Sequence, residues 1–238
     1  MKRLMLLAAC GIAATGLFAL VRMRMPPQQV ENSGQDRTQR DMIHRRFRLH
    51  PFLLRFFPAM ILWTAVLTSF APFSSVYLSQ DRHIPLARIG LIFFVAQLMQ
   101  SCSGLLSPVV FRRLGLLNGI VATQILTAVA LGCLAGTQDL RLVAPLFIAF
   151  TAIQWMNTPG LENLLMSGVP DVDRSTASSM MMFCNAVVAA GATSGAGILF
   201  GQFGYQRVML GISALAVTAA ILFGALLSPA RCRTPVDL

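Results

Sequence analysis

Seven long apolar stretches, most separated by short polar connections, leave this 238-residue chain few ways to fold. A hydrocarbon core about 30 Å thick takes roughly 20 apolar residues to cross as a helix. Stretches of about that length fall at 4–21, 56–78, 89–111, 116–136, 142–168, 178–203 and 208–227. Inside a bilayer every backbone N–H and C=O must be paired within the protein, so a lone apolar segment satisfies them as a helix. The fold expected is therefore all-α: a polytopic membrane bundle of about seven transmembrane helices.

Composition agrees. The chain is 55% hydrophobic and 12% charged, too little polar surface for a water-soluble domain of this size. Between Pro58 and Leu227 the acidic residues are Asp81, Asp139, Glu162, Asp171 and Asp173, and all but Glu162 fall in connections. Charge avoids the hydrocarbon because burying it there unpaired is costly. The net charge of +10 does not point to nucleic acid once its distribution is followed. Alternating the seven spans places thirteen basic residues on the side of the 22–55 connection and six on the other. The positive-inside rule then puts that connection and the C-terminus in the cytoplasm and the N-terminus outside. A multi-pass protein of a cell membrane is expected, the bacterial inner membrane being the expected one, with the lipid bilayer as its surroundings.

Enzymatic chemistry finds no foothold. Cys10, Cys102, Cys133, Cys184 and Cys232 are dispersed, and His44, His50 and His83 lie in connections. No metal-ligand spacing, cofactor motif or nucleophile–base pair results, so the expectation is no catalytic residue, no metal and no cofactor. Leu7-Ala8-Ala9-Cys10 mimics a lipoprotein processing site, but the apolar run before Cys10 is too short for a signal segment and continues through Val21.

Along the chain the sequence divides into a first span at 1–21, a basic linker at 22–55, six spans over 56–227 and a tail at 228–238. Residues Met42 to Leu49 alternate Arg with apolar residues, which suits either a short helix on an anionic leaflet or a solvated loop. Pro72 is expected to kink the second span, and Pro159-Gly160 to loosen the fifth. That fifth span is the polar one, with Thr151, Gln154, Trp155, Asn157, Thr158, Glu162 and Asn163. Gln154, Thr158 and Glu162 stand four apart and share a face that must look into the bundle or a wet cavity. Gly191 with Gly195, and Gly197 with Gly201, form two small-xxx-small pairs suited to close helix packing.

Six spans preceded by a long basic loop and one further span resemble the C-terminal half of a major facilitator superfamily transporter with the helix before it. Local matches lie at Gly104-Leu105-Leu106-Ser107 with Phe111-Arg112-Arg113-Leu114-Gly115, and at Val169-Pro170 with Asp173-Arg174 and Ala177-Ser178. The run from Gly197 through Gly201 to Gly204-Tyr205 is similar to the end of the family's eleventh helix. One departure is that Ser107-Pro108 stands where the family often has an acidic residue. Residues 1–21 would then correspond to the sixth helix, and the other spans to helices seven through twelve.

The resemblance implies secondary active transport of a small solute by alternating access, with proton-coupled efflux as one version. Thr64, Thr68, Gln97, Gln100, Gln154 and Asn157 are the candidates to line the solute cavity, with interhelical hydrogen bonding as their alternative role. Glu162, Arg112, Arg113 and Arg174 are the candidates for gating or coupling, through an ion pair or a proton carried by Glu162. Because such transporters have two halves, the chain is expected to be a truncated product, a product of a mis-called start, or one part of a split transporter. Its expected partner is the missing N-terminal half. The competing reading is a membrane subunit that does not transport on its own.

Overall fold

The computed structural model describes residues 51–227. The first apolar segment, residues 22–50 of the linker and the tail at 228–238 lie outside the described residues. Residues 51–55, assigned to the linker from sequence, instead open the first described helix.

Every long element is helical, as hydrocarbon demands. Helix α1 spans Pro51–Phe70, passes through a 3-10 turn at Ala71–Phe73, continues as α2 at Ser74–Val76, and ends in a π-helical turn at Tyr77–Asp81. The change of winding begins beside Pro72, where the missing N–H and the ring disrupt the α-helical ladder. Helices α3 (Leu86–Leu114), α4 (Leu116–Gly136) and α5 (Leu140–Gly168) follow, then a 3-10 turn at Asp171–Asp173 and α6 (Arg174–Leu227). At 1.5 Å per residue α6 would run about 80 Å, more than twice a bilayer core. It is broken at Gly204, whose φ of 76° and ψ of 166° are left to glycine. Two arms result, 174–203 and 205–227. Gly115 (φ 81°) similarly separates α3 from α4 in a single residue. Asp139 caps α5, its Oδ1 accepting from the Arg141 N–H at 2.9 Å.

Four segments among the described residues are long and apolar enough to cross a membrane: Phe52–Asp81, Leu86–Leu114, Leu116–Gly136 and Asp171–Leu227. Helix α5 is long enough too, but its amides, hydroxyls and Glu162 dilute its apolar character. One sequence expectation fails here. Pro159-Gly160 does not interrupt α5, which stays α-helical from Leu140 to Gly168.

Packing accounts for the glycine at 160. The Phe111 ring, at the end of α3, lies against both Gly119 of α4 and Gly160 of α5. A Cβ on Gly160 would come within 2.6 Å of Phe111 Cζ and 3.2 Å of Ile120 Cγ1. One on Gly119 would meet the same ring from its other edge. The ring cannot retreat from one glycine without pressing on the other. Elsewhere α1 and the 3-10 turn after it join both arms of α6, through Phe56 of α1 on Phe223 and Phe73 of the turn on Phe200. Helix α4 meets the second arm where Ser213 Oγ donates to the Ala128 carbonyl at 2.7 Å. The small-xxx-small reading needs correction at three of its four positions. A Cβ at Gly191, Gly195 or Gly201 would meet nothing within 4 Å among the described residues, so no described helix packs tightly on them. Gly197 alone of the four packs closely: a Cβ there would lie 3.1 Å from Phe73 Cζ.

Overpacking of this kind costs about 1–3 kcal/mol. Gly160→Ala is expected to lower the thermal unfolding temperature of the detergent-solubilised protein, and Phe111→Leu in the same chain to restore most of the loss. A double variant as unstable as Gly160→Ala alone would show that the ring is not the neighbour that matters.

Candidate functional site

A cavity of about 190 Å³ opens between α1, α2, α3 and α5. Its polar wall is Gln97 and Gln100 of α3 with Thr151 and Gln154 of α5, joined by Ser74 of α2. Its apolar wall is aromatic: Phe70, Phe93, Phe147, Phe150 and Trp155. Helical spacing produces this arrangement. Gln97 and Gln100 are three apart on α3, and Phe147, Thr151 and Gln154 recur at four and three on α5, so each set shares a face. The aromatic wall is rigid because its rings hold one another edge to face. Phe70 meets Phe147 and Phe150 at 6.4 and 5.8 Å between centroids, and Phe93 meets Phe147 at 5.5 Å. Among the described residues no charged side chain lines the cavity. The arrangement can hydrogen-bond an uncharged or weakly polar molecule and stack against its apolar part.

Of the six residues proposed from sequence to face the solute, the cavity brings together Gln97, Gln100 and Gln154. Thr64 and Thr68 are used between helices instead. Thr64 Oγ1 donates to Asn185 Oδ1 at 2.7 Å, and Thr193 Oγ1 donates to the Thr68 carbonyl at 3.1 Å, tying α1 to the first arm of α6. Thr68 Oγ1 itself donates back to the Thr64 carbonyl at 2.8 Å. Hydrogen bonds between helices in a membrane each contribute about 0.6 kcal/mol on average, enough to hold a register without locking it. Asn157 is 0% exposed and does not line the cavity.

The charged candidates sit toward the other end of the bundle from Tyr77. Arg112 and Arg113 are exposed in the last turn of α3, where a positive charge is favoured by the helix dipole. Arg174 is a clasp. Its Nη1 lies 2.7 Å from Asp171 Oδ1 and its Nε donates to the Met166 carbonyl at 2.9 Å, closing the end of α5 onto the turn that follows. Glu162 is exposed and forms no ion pair with Arg112, Arg113 or Arg174. At the opposite end Tyr77 is fully buried, donates to the Leu134 carbonyl at 3.4 Å and accepts from Arg82 Nε at 2.9 Å. Tyr205 packs against it from the break in α6, at 5.5 Å between ring centroids.

Sequence reasoning missed the four phenylalanines of the wall. In an apolar span a Phe that faces a cavity carries the same signal as one that faces lipid. It also passed over Gln124, buried in α4, although an amide within an apolar run is the signal that singled out Gln97. In a background lacking native cysteines, Gln97→Cys and Gln154→Cys are expected to react with a small water-soluble thiol reagent in membranes, and Asn157→Cys to stay unlabelled. Labelling at Asn157→Cys as fast as at Gln154→Cys would contradict the cavity's outline.

The Major Facilitator Superfamily model matches residues 3–193 of this chain. Among solved structures the chain is similar to a bacterial homologue of the iron transporter ferroportin, crystallised in an outward-facing state, with TM-score 0.60 and 18% identity. The match covers 80% of this chain and 52% of that one, so the chain spans about half the length of that neighbour. At this identity the likeness shows the fold alone. No curated protein matches the chain.

Proposed function

The chain belongs to the Major Facilitator Superfamily, a family of membrane transporters, and from that premise we propose that it supplies one half of an alternating-access pathway for a small uncharged solute. The observation that carries this reading is the cavity wall: three glutamine amides and a threonine hydroxyl facing a bank of aromatic rings, with no charged group among them. Amides bind a neutral polar solute without the desolvation that a fixed charge would suffer. The same wall is poorly suited to a bare divalent cation, which takes carboxylates, imidazoles or thiolates as ligands. The iron named for the structural neighbour is therefore not carried over to this half.

Alternating access requires a second half against which this one rocks. The proposed partner is the rest of an N-terminal half, five helices, with the site at mid-membrane and the basic end of the bundle facing the cytoplasm of a bacterial inner membrane. Export is the proposed direction. Glu162 continues the face begun by Gln154 and Thr158 but has no ion-pair partner among the described residues, which supports a gating contact made across to the second half.

Ligand screening by thermal stabilisation of the purified chain tests the solute class. Uncharged solutes are expected to stabilise it, and Gln154→Leu to weaken the best of them about tenfold, the loss of one well-placed hydrogen bond. A set of exclusively charged ligands, or indifference to Gln154→Leu, would sink the reading. With a solute in hand, Glu162→Gln is expected to slow flux while leaving its response to a pH gradient unchanged. Loss of that response would make Glu162 the proton carrier instead.

A further inference from the structure

We propose that Trp63, Gln124 and Asn157 together hold internal water at mid-height in the bundle, a polar node joining α1, α4 and α5 that is separate from the solute cavity. The three side chains are 1%, 0% and 0% exposed, and none lines the cavity. Trp63 Nε1, both amide atoms of Gln124 and both of Asn157 are the buried side-chain polar atoms without a hydrogen-bond partner among the described residues.

Helix register puts them at one level. Helices α1 and α5 run antiparallel, with Phe52 against Gly168 and Phe70 against Phe150. Trp63 stands eleven residues after Phe52 and seven before Phe70; Asn157 stands eleven before Gly168 and seven after Phe150. Seven and eleven residues are close to two and three whole turns of about 3.6 residues each. Trp63 thus falls on the side of α1 turned toward α5, and Asn157 on the side of α5 turned toward α1, at the same height. On the neighbouring flank Gly160 faces Ile120 across the antiparallel α4–α5 pair. One turn along α4, Gln124 reaches the level of residue 156.

The chemistry of the set selects the occupant. An indole N–H and two amide NH₂ groups donate, two amide oxygens accept, and no net charge is present. A cation would leave the N–H groups unanswered, and an anion the carbonyls. Water donates and accepts, is neutral, and settles in buried sites that offer two to four polar partners. The node begins one turn of α5 beyond Gln154, so α5 carries solute contacts and internal water on successive turns.

X-ray radiolysis of the full chain tests this, because bound water generates hydroxyl radical beside the residues that hold it. With each rate divided by the intrinsic reactivity of its ring, Trp63 is expected to be oxidised well above Phe56, an equally buried residue, and Asn157→Leu to reduce Trp63 oxidation to the Phe56 level on that scale. The chain has two tryptophans, so Trp155→Phe leaves Trp63 as the sole indole. Its N–H band in ultraviolet resonance Raman is then expected at the hydrogen-bonded position. Oxidation of Trp63 at the Phe56 level in the unsubstituted chain would overturn the proposal. A hydrogen-bonded band without oxidation would mean dry amide–indole contacts and would overturn it equally.

Discussion

Helix α5 has to carry Thr151, Gln154, Asn157, Thr158 and Glu162 through an apolar surrounding, and the rest of the structure depends on where those groups are placed. A polar side chain in hydrocarbon either finds a partner or faces water. The bundle answers by flanking α5: α3 and α4 pack along it, and α1 touches it through aromatic contacts such as Phe70 on Phe147 and Phe150. Gln154 and Thr151 then look into the cavity, Asn157 into the core, and Glu162 out at the basic end. No other described helix combines so central a position with so polar a middle.

Holding α5 in that place falls to contacts at its two ends. At one end the Phe111 ring needs bare glycine at positions 119 and 160, which fixes the approach of α3, α4 and α5 to one another. Arg174 then fastens the last turn of α5 to the start of α6. At the other end Phe70 binds α1 to Phe147 and Phe150, and Tyr77 carries that aromatic chain outward to Tyr205. The cavity lies between these fixings, roofed by rings and walled by amides. Its shape follows from the packing of the ends, and its chemistry from the polar stripe of the middle.

Much of this was legible in the sequence because membranes simplify the reading. Apolar run length located the helices, and Leu116–Gly136 has the boundaries expected of it. Gln97, Gln100 and Gln154 could be proposed to face a polar space because an amide facing hydrocarbon would forfeit its hydrogen bonds, and all three line the cavity. What was not legible depends on partners in space. Thr64 and Thr68 look as well suited to a solute as Gln154 does, and only the approach of Asn185 and Thr193 makes them interhelical bonds. Gly160 beside Pro159 reads as a weak point in a helix until Phe111 is seen against it. Gly191, Gly195 and Gly201 spell a packing motif, yet a Cβ added there would touch no described neighbour. Spacing along one helix cannot say which neighbour, if any, comes close.

The open glycine face of α6 and a Glu162 without an ion-pair partner among the described residues are what a half-pathway would present to a second half, and flux decides whether it does. The most direct measurement is solute entry into proteoliposomes carrying this chain alone or together with a separately expressed five-helix N-terminal partner. If the chain is half of a pathway, flux for the chain alone stays at the level of empty liposomes, and saturable flux, reduced by Gln154→Leu, appears when both are present. Equal flux with and without the partner would contradict this reading.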